Sequence, residues 1–308
     1  MSSYQYDNAA LHPTRALAVL GPAATLDDVK PFEPHAFDFR TLFMPETLTL
    51  VHTLDEFKPD IVLIFGGDGT LNRHLDTLVA HEVPVLVVPT GSGNDFAMSH
   101  GIHSVDDALK VWAAFPGESS MVVDTDLGSA HIGDHFRYFS CCLNVGLDAE
   151  AAQWASRMPD WMKSRSGYFF GGLLALFSYK RRELSVVGDG PFAISISERG
   201  WFACVSNTPT YGGGLKIAPQ ADMTDGLLEL TYLNECSVFT IMRHIPKIKT
   251  GAHILLNEVT IAQTNTLVIE TEKPQPIFSD GEFFGFTPCD VTVAEKALRV
   301  VQMRGFGK

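Results

Sequence analysis

The chain has 308 residues, 45% apolar and 19% charged, with 36 acidic against 23 basic side chains and a formal net charge of −13. That length exceeds the usual single core, so two domains are expected. Nucleic-acid phosphates would be repelled over most of so acidic a surface, which excludes a nucleic-acid-binding role.

Met1 to Leu20 shows neither a charged n-region nor a long apolar h-region, so secretion is not expected. The first strong signal is Ile61-Val62-Leu63-Ile64-Phe65 running into Gly66-Gly67-Asp68-Gly69-Thr70. The second is Val83-Pro84-Val85-Leu86-Val87-Val88 running into Pro89-Thr90-Gly91-Ser92-Gly93-Asn94-Asp95. Unbroken aliphatic runs suit parallel strands covered by helices on both faces. Leu71 to about His81 has the length of one helix, making a βαβ crossover with both glycine loops at the strands' carboxyl ends.

In the first loop, Gly66, Gly67 and Gly69 should let the backbone adopt positive φ and let its N–H groups approach a phosphate, with the following helix N-terminus adding partial positive charge. Asp68 would repel a phosphate unless a cation lies between them or the carboxylate takes a proton, and Mg²⁺ is the expected ion. Gly91, Ser92, Gly93, Asn94 and Asp95 repeat the pattern. The plainer reading is that Asn94 and Asp95 cap a helix beginning near Phe96. Neither a P-loop, nor a dinucleotide fingerprint, nor a Gly-x-Ser-x-Gly elbow occurs.

Beyond about Asp126 the texture changes to strands and turns. Leu184 to Val187 and Phe192 to Ile196, around Gly188-Asp189-Gly190, predict a hairpin. Strands are also expected over Trp201 to Val205, Leu227 to Leu233, Leu267 to Thr271 and Val291 to Val293. The fold class expected is an N-terminal α/β domain over 1–126, joined by 300–308, and a β-rich, sandwich-like domain over 127–299. Between Arg157 and Arg182 six basic residues stand against one acidic residue among several aromatics, a pattern that suits an anionic bilayer surface or, alternatively, a core helix. Its ten apolar residues, Tyr168 to Phe177, fall short of the ~20 that span a bilayer. The five cysteines have no zinc or redox spacing and read as buried hydrophobes, and the eleven histidines show no metal-ligand pattern.

Six ordered motifs resemble the diacylglycerol kinase catalytic-domain family, which holds bacterial diacylglycerol and other lipid kinases with sphingosine and ceramide kinases. They are Gly66-Gly67-Asp68-Gly69-Thr70-Leu71-Asn72, Pro89 to Ala97, Asn144 to Ala149, Tyr211 to Pro219, Thr224-Asp225-Gly226-Leu227-Leu228-Glu229 and Asp280-Gly281-Glu282. The resemblance implies an NAD kinase/phosphofructokinase-like α/β domain and Mg²⁺-assisted transfer of the ATP γ-phosphoryl group to a lipid alcohol. It places Gly67, Asp68, Gly69, Thr70, Leu71, Asn72 and Ser92 at the nucleotide and makes Glu282 the proton acceptor, with Asp68 kept as a second candidate. It also implies a structural magnesium on Asp225, helped by main-chain oxygens of Asp222 and Leu227. Without the resemblance, Asp280-Gly281-Glu282 reads as a hairpin turn.

Three positions depart from the family pattern: Arg73 replaces a usual Glu, Ser92 a usual Thr, and Val19 to Thr25 an Asn-Pro-x-x-Gly loop. The competing readings are a soluble-substrate kinase such as an NAD kinase, and a non-catalytic nucleotide- or lipid-binding protein. Carboxylates left unpaired beside transferable phosphate argue against the latter. The expected compartment is the cytoplasm, with peripheral contact at the inner face of the membrane through 157–182, and a homodimer stays open.

Overall fold

The computed structural model describes residues 14–115, 121–147, 149, 176, 179, 181–189 and 193–306. The chain divides into two units, one formed by residues 1–124 with 298–308, the other by residues 125–297.

In the first unit a parallel sheet runs in the order β2 (Asp38–Phe43), β1 (Arg15–Leu20), β3 (Ile61–Gly66), β4 (Val85–Pro89). The returning chain adds one more parallel pairing, Val300 with Val85. All six residues of β3 are buried, as expected for a strand with covered faces. The crossovers carry helices α1 (Leu26–Val29), α2 (Thr47–Phe57) and α3 (Asp68–His81). After β4 come α4 (Asp95–Met98) and α5 (Val105–Ala114). Because the chain leaves β1 first for β2 and then for β3 on the other side, the order reverses there, and the carboxyl edge between β1 and β3 is a topological switch point.

The second unit is a set of antiparallel pairings: β5 (Val122–Ile132) with β6 (His135–Phe139), β7 (Cys142–Gly146) and β8 (Arg182–Asp189) each with β9 (Ile194–Ser206), β9 with β10 (Leu228–Asn234), and β10 with β11 (Val259–Thr264). The remaining strands are β12 (Thr266–Thr271), β13 (Pro276–Ser279), β14 (Glu282–Phe286) and β15 (Cys289–Val301), with β12 between β8 and β15 and β13 between β7 and β14. One apolar core takes side chains from β7 to β10, β12, β13 and β15, among them Leu143, Val186, Val205, Leu230, Ile269, Ile277 and Val291.

Two expected strands, 192–196 and 201–205, are one. Ile194–Ser206 continues because β8 pairs its first half while β7 and β10 flank its second, so every stretch finds partners. All five cysteines are free, and four are buried. Most of the basic, aromatic segment 157–182 lies outside the described residues; within it, Leu176 and Tyr179 are buried against Trp201. Among the described residues no helix is long and apolar enough to cross a membrane.

Candidate functional site

The two glycine turns lie side by side at the carboxyl edge of the first unit's sheet. Gly66 pairs with Pro89 across β3 and β4, and the Thr90 N–H donates to the Gly66 carbonyl at 3.2 Å. The contact is backbone on backbone: a Cβ on Gly91 would stand 2.5 Å from Gly67 N and 2.6 Å from its Cα, and one on Gly67 would strike the Gly93 carbonyl oxygen. None of Gly66, Gly67, Gly69, Gly91 and Gly93 has positive φ, which corrects the expectation that they serve a left-handed backbone. Four of them are glycine because neighbouring atoms leave little or no room for a side chain. Gly69 differs, since a Cβ there would meet nothing within 4 Å.

Helix α3 begins at Asp68, three residues earlier than the sequence predicts, with Gly67 as N-cap. The glycine-rich segment is thus largely the helix's first turn, where amide groups lack intrahelical partners and partial positive charge accumulates. Thr70 packs its side chain against both Gly66 and Gly21, and the Gly21 N–H donates to the Phe65 carbonyl at 2.8 Å. Gly21 therefore reaches the site from the end of β1. Its position just after a buried aliphatic run was the available signal.

Asp68 fastens the two turns. Its Oδ2 accepts from the Asp95 N–H and its Oδ1 from the Phe96 N–H, both at 3.0 Å, while its own N–H donates to the Gly93 carbonyl at 3.0 Å. Its carboxylate therefore caps α4 from 27 residues away. Asn94, in the N-cap position, makes no side-chain cap and instead donates Nδ2 to the Gly91 carbonyl at 2.9 Å. The picture of Asp68 as an unpaired carboxylate is corrected by these bonds, and it no longer argues by itself for turnover. Asp95 is fully buried. Leu71 is a core residue whose side chain is fully buried, Asn72 is half-buried, and Ser92 and Arg73 are exposed.

In the second unit, Asp280 and Gly281 both have positive φ and form the turn between β13 and β14, the hairpin geometry that Asp-Gly favours. The Asp280 carboxylate accepts from Ser140 N, Ser140 Oγ, Cys141 N and Cys142 N at 2.8 to 3.0 Å. Burial pushes its carboxyl up, against these four donors. The turn so anchored presents Glu282, exposed at the start of β14. Phe283 and Phe286, both about half exposed, contact each other edge-on beside it.

The segment from Asp222 to Leu227 forms a second turn cluster. Asp222 Oδ1 accepts from Thr224 N and Oγ1, and Asp225 Oδ1 accepts from Leu227 N. Asp126, which sequence reading did not single out as a functional residue, is buried with its oxygens on Gly226 N at 2.8 Å and Lys296 N at 2.7 Å. Nothing in the mixed polar and apolar residues of β5 singled it out beforehand. Burial raises the Asp225 carboxyl, and the nearby Asp222 and Asp126 charges raise it further. Burial and Asp225 push Glu229 up to about 7. Among the described residues no well-formed hydrogen bond reaches either Glu229 oxygen, and the Gln263 side chain opposite pulls the value back only in part.

Among the described residues no group of three or more His, Cys, Asp or Glu side chains stands within metal-ligating reach. One carboxylate with main-chain oxygens and retained waters is nevertheless a set that magnesium accepts. Asp222 and Asp225 are both exposed; one oxygen of Asp222 is taken by Thr224 and one of Asp225 by the Leu227 N–H, and Asp225 is the side-chain ligand of the expected set. The mutual repulsion around it is what a divalent ion would relieve, so the residues fit the ion.

Residues 32–125 match the diacylglycerol kinase catalytic domain, and residues 141–302 match the YegS C-terminal NAD kinase beta sandwich-like domain. A diacylglycerol kinase of Mycobacterium tuberculosis is 29% identical over 246 residues, covering 80% of this chain and 77% of that protein. A probable lipid kinase, YegS-like, of Shewanella frigidimarina is 28% identical over 252 residues, covering 78% and 75%. The crystal structure of a putative diacylglycerol kinase from Bacillus anthracis superposes with a TM-score of 0.74 at 20% identity, covering 94% of this chain and 98% of that one.

Proposed function

Because this chain belongs to the diacylglycerol kinase catalytic-domain family, with the YegS-type C-terminal domain, we propose that it is an ATP- and Mg²⁺-dependent lipid kinase. The observation that carries the reading is the interlocked pair of turns after β3 and β4, next to the switch point, with the open position over Gly69 at the amino end of α3. Backbone amides at a helix N-terminus bind a triphosphate without needing a lysine. The absence of a side chain at Gly69, unexplained by any protein neighbour, lets a ligand approach the main chain closely.

Asp68 positions rather than reacts in this proposal. Its carboxylate holds Asp95 and Phe96 to the first turn, so both turns meet the phosphates as one body. Glu282 is the proton acceptor: the lipid hydroxyl oxygen attacks the γ-phosphorus, the bond to the ADP oxygen breaks, and the hydroxyl proton passes to the Glu282 carboxylate. Asp280 fixes where that carboxylate starts, and exposed Phe283 and Phe286 supply an apolar surround suited to a lipid body. When bound, magnesium would supply charge neutralisation, and a structural ion would rest on Asp225 with the main-chain oxygens of Asp222 and Leu227.

The test is incubation with γ-labelled ATP and Mg²⁺ with total lipid extract, NAD or neither. Label in the organic phase is the expected result; label on NAD, or none transferred, overturns it. Glu282→Gln should lower turnover by orders of magnitude with the melting temperature unchanged, and a near-normal rate would remove Glu282 from the chemistry.

A further inference from the structure

Val238–Ile248 forms a helix, α6, with no buried residue. Its ends are nonetheless fixed. Ser237 caps its amino end by accepting from Thr240 N at 3.1 Å, Trp201 Nε1 donates to the Cys236 carbonyl at 3.1 Å, and Lys216 N donates to the Ile248 carbonyl at 3.2 Å. Its inner side rests through Val238 and Ile241 on a cluster with Leu176, Tyr179 and Trp201. The outer side carries Phe239, 83% exposed, with Met242, Ile245 and Pro246 at helical spacing, and Leu255 in the following turn is 82% exposed.

Apolar side chains held outward on an anchored helix need a partner. Charge selects among partners. In a chain of formal charge −13, residues 236–257 contain Arg243, Lys247 and Lys249 and no Asp or Glu. Arg243 and Lys249 are exposed, and Lys216 stands exposed at the carboxyl end of the helix. A second copy of so acidic a chain, or an acidic segment of this one, would match these cations but not the wide row of apolar side chains between them. An apolar stripe flanked by cations is the pattern of a helix lying in the interface of an anionic bilayer.

We propose that the outer face of α6 docks this protein onto an anionic lipid surface. The choice of a bilayer as partner rests on the lipid-kinase reading, but docking needs neither nucleotide nor metal. Phe239, Met242 and Ile245 enter the headgroup boundary while Arg243, Lys247 and Lys249 meet lipid phosphates.

Co-sedimentation with vesicles, without ATP or Mg²⁺, tests this separately from catalysis. The wild-type protein should pellet with phosphatidylcholine vesicles containing phosphatidylglycerol, less so at high salt, and not with phosphatidylcholine alone. Phe239→Ser/Met242→Ser/Ile245→Ser and Arg243→Glu/Lys247→Glu/Lys249→Glu should each weaken binding about tenfold or more, with unchanged melting temperature and unchanged turnover of a soluble short-chain acceptor. Equal pelleting of wild type and both variants overturns the proposal, as does failure of the wild type to pellet. So does a dimer by light scattering that the serine variant dissociates while vesicle binding persists. Docking without label transfer would sink the kinase reading and spare this one.

Discussion

Each unit uses a buried carboxylate to hold distant turns together, and the two differ in what surrounds it. Asp68 accepts two amides of the neighbouring turn in a knot whose tightness is steric, backbone against backbone. Asp126 accepts amides from Gly226 and Lys296 in the same manner, but beside it Asp225 also feels the Asp222 charge and acts in turn on Glu229, and burial with this repulsion holds the Asp225 and Glu229 carboxyl groups above their usual range. The first knot closes by itself; the second accumulates negative charge for which the described residues supply no metal-like set of side chains. Geometry secures one and a counter-ion would secure the other.

The largest effect should come from breaking the steric knot. Gly91→Ala places a methyl 2.5 Å from Gly67 N, a distance that only backbone displacement relieves. Turnover should fall by orders of magnitude, with a lower melting temperature. Gly69→Ala meets nothing within 4 Å and should even favour the helix, by up to about 1 kcal/mol. It should keep or raise stability while weakening nucleotide binding by calorimetry. If Gly69→Ala binds nucleotide as the wild type does, the open space over α3 is not the ligand's.

The electrostatic knot should respond to pH and magnesium more modestly. Glu229 is held at about 7 against a usual 4.5, so the folded state binds its proton more tightly than the unfolded chain. That contribution is intact below about pH 4.5 and is lost as pH rises toward 7. Glu229→Gln should therefore raise the melting temperature at pH 8, by at most about 3 kcal/mol of stability, and change nothing near pH 4. Mg²⁺ should stabilise the wild type above pH 7, and Asp225→Asn should lose most of that gain in thermal melts. Equal melting curves with and without Mg²⁺ in wild type would remove the ion from this turn.

The contrast also explains what was legible beforehand. Parallel strands announce themselves by unbroken burial, so Ile61 to Phe65 and Val85 to Val88 could be read with the turns that follow. The motif residues were visible as letters, but the reasons behind them were not. The glycines looked conformational and are mostly steric, because a clash between Gly67 and Gly91 depends on strand register, which a linear pattern does not carry. Asp68 looked unpaired because its two donors come from 27 and 28 residues away. Asp126 escaped notice since its partners lie 100 and 170 residues downstream. Ile194–Ser206 was split in two because its exposed middle, Glu198 and Arg199, resembles a turn.

The smallest effect concerns the first unit's response to acid, opposite in sign to the second's. His100 is buried beneath α4, its Nδ1 on the Phe96 carbonyl at 2.9 Å and its ring against Phe96 at 4.6 Å. Burial lowers it to about 4 from a usual 6.5, and His74 in α3 is lowered likewise. The unfolded chain takes these protons first, so stability is intact above about pH 6.5 and falls as pH drops toward 4. Because Phe96 is also where Asp68 grips the second turn, protonating His100 should loosen the glycine knot before the whole unit unfolds. Hydrogen exchange of residues 94–100 should accelerate between pH 6.5 and 5 after correction for intrinsic rates, while residues 222–230 slow. His100→Gln should flatten the first trend without touching the second; if both segments follow one sign, the units do not differ as these charges require.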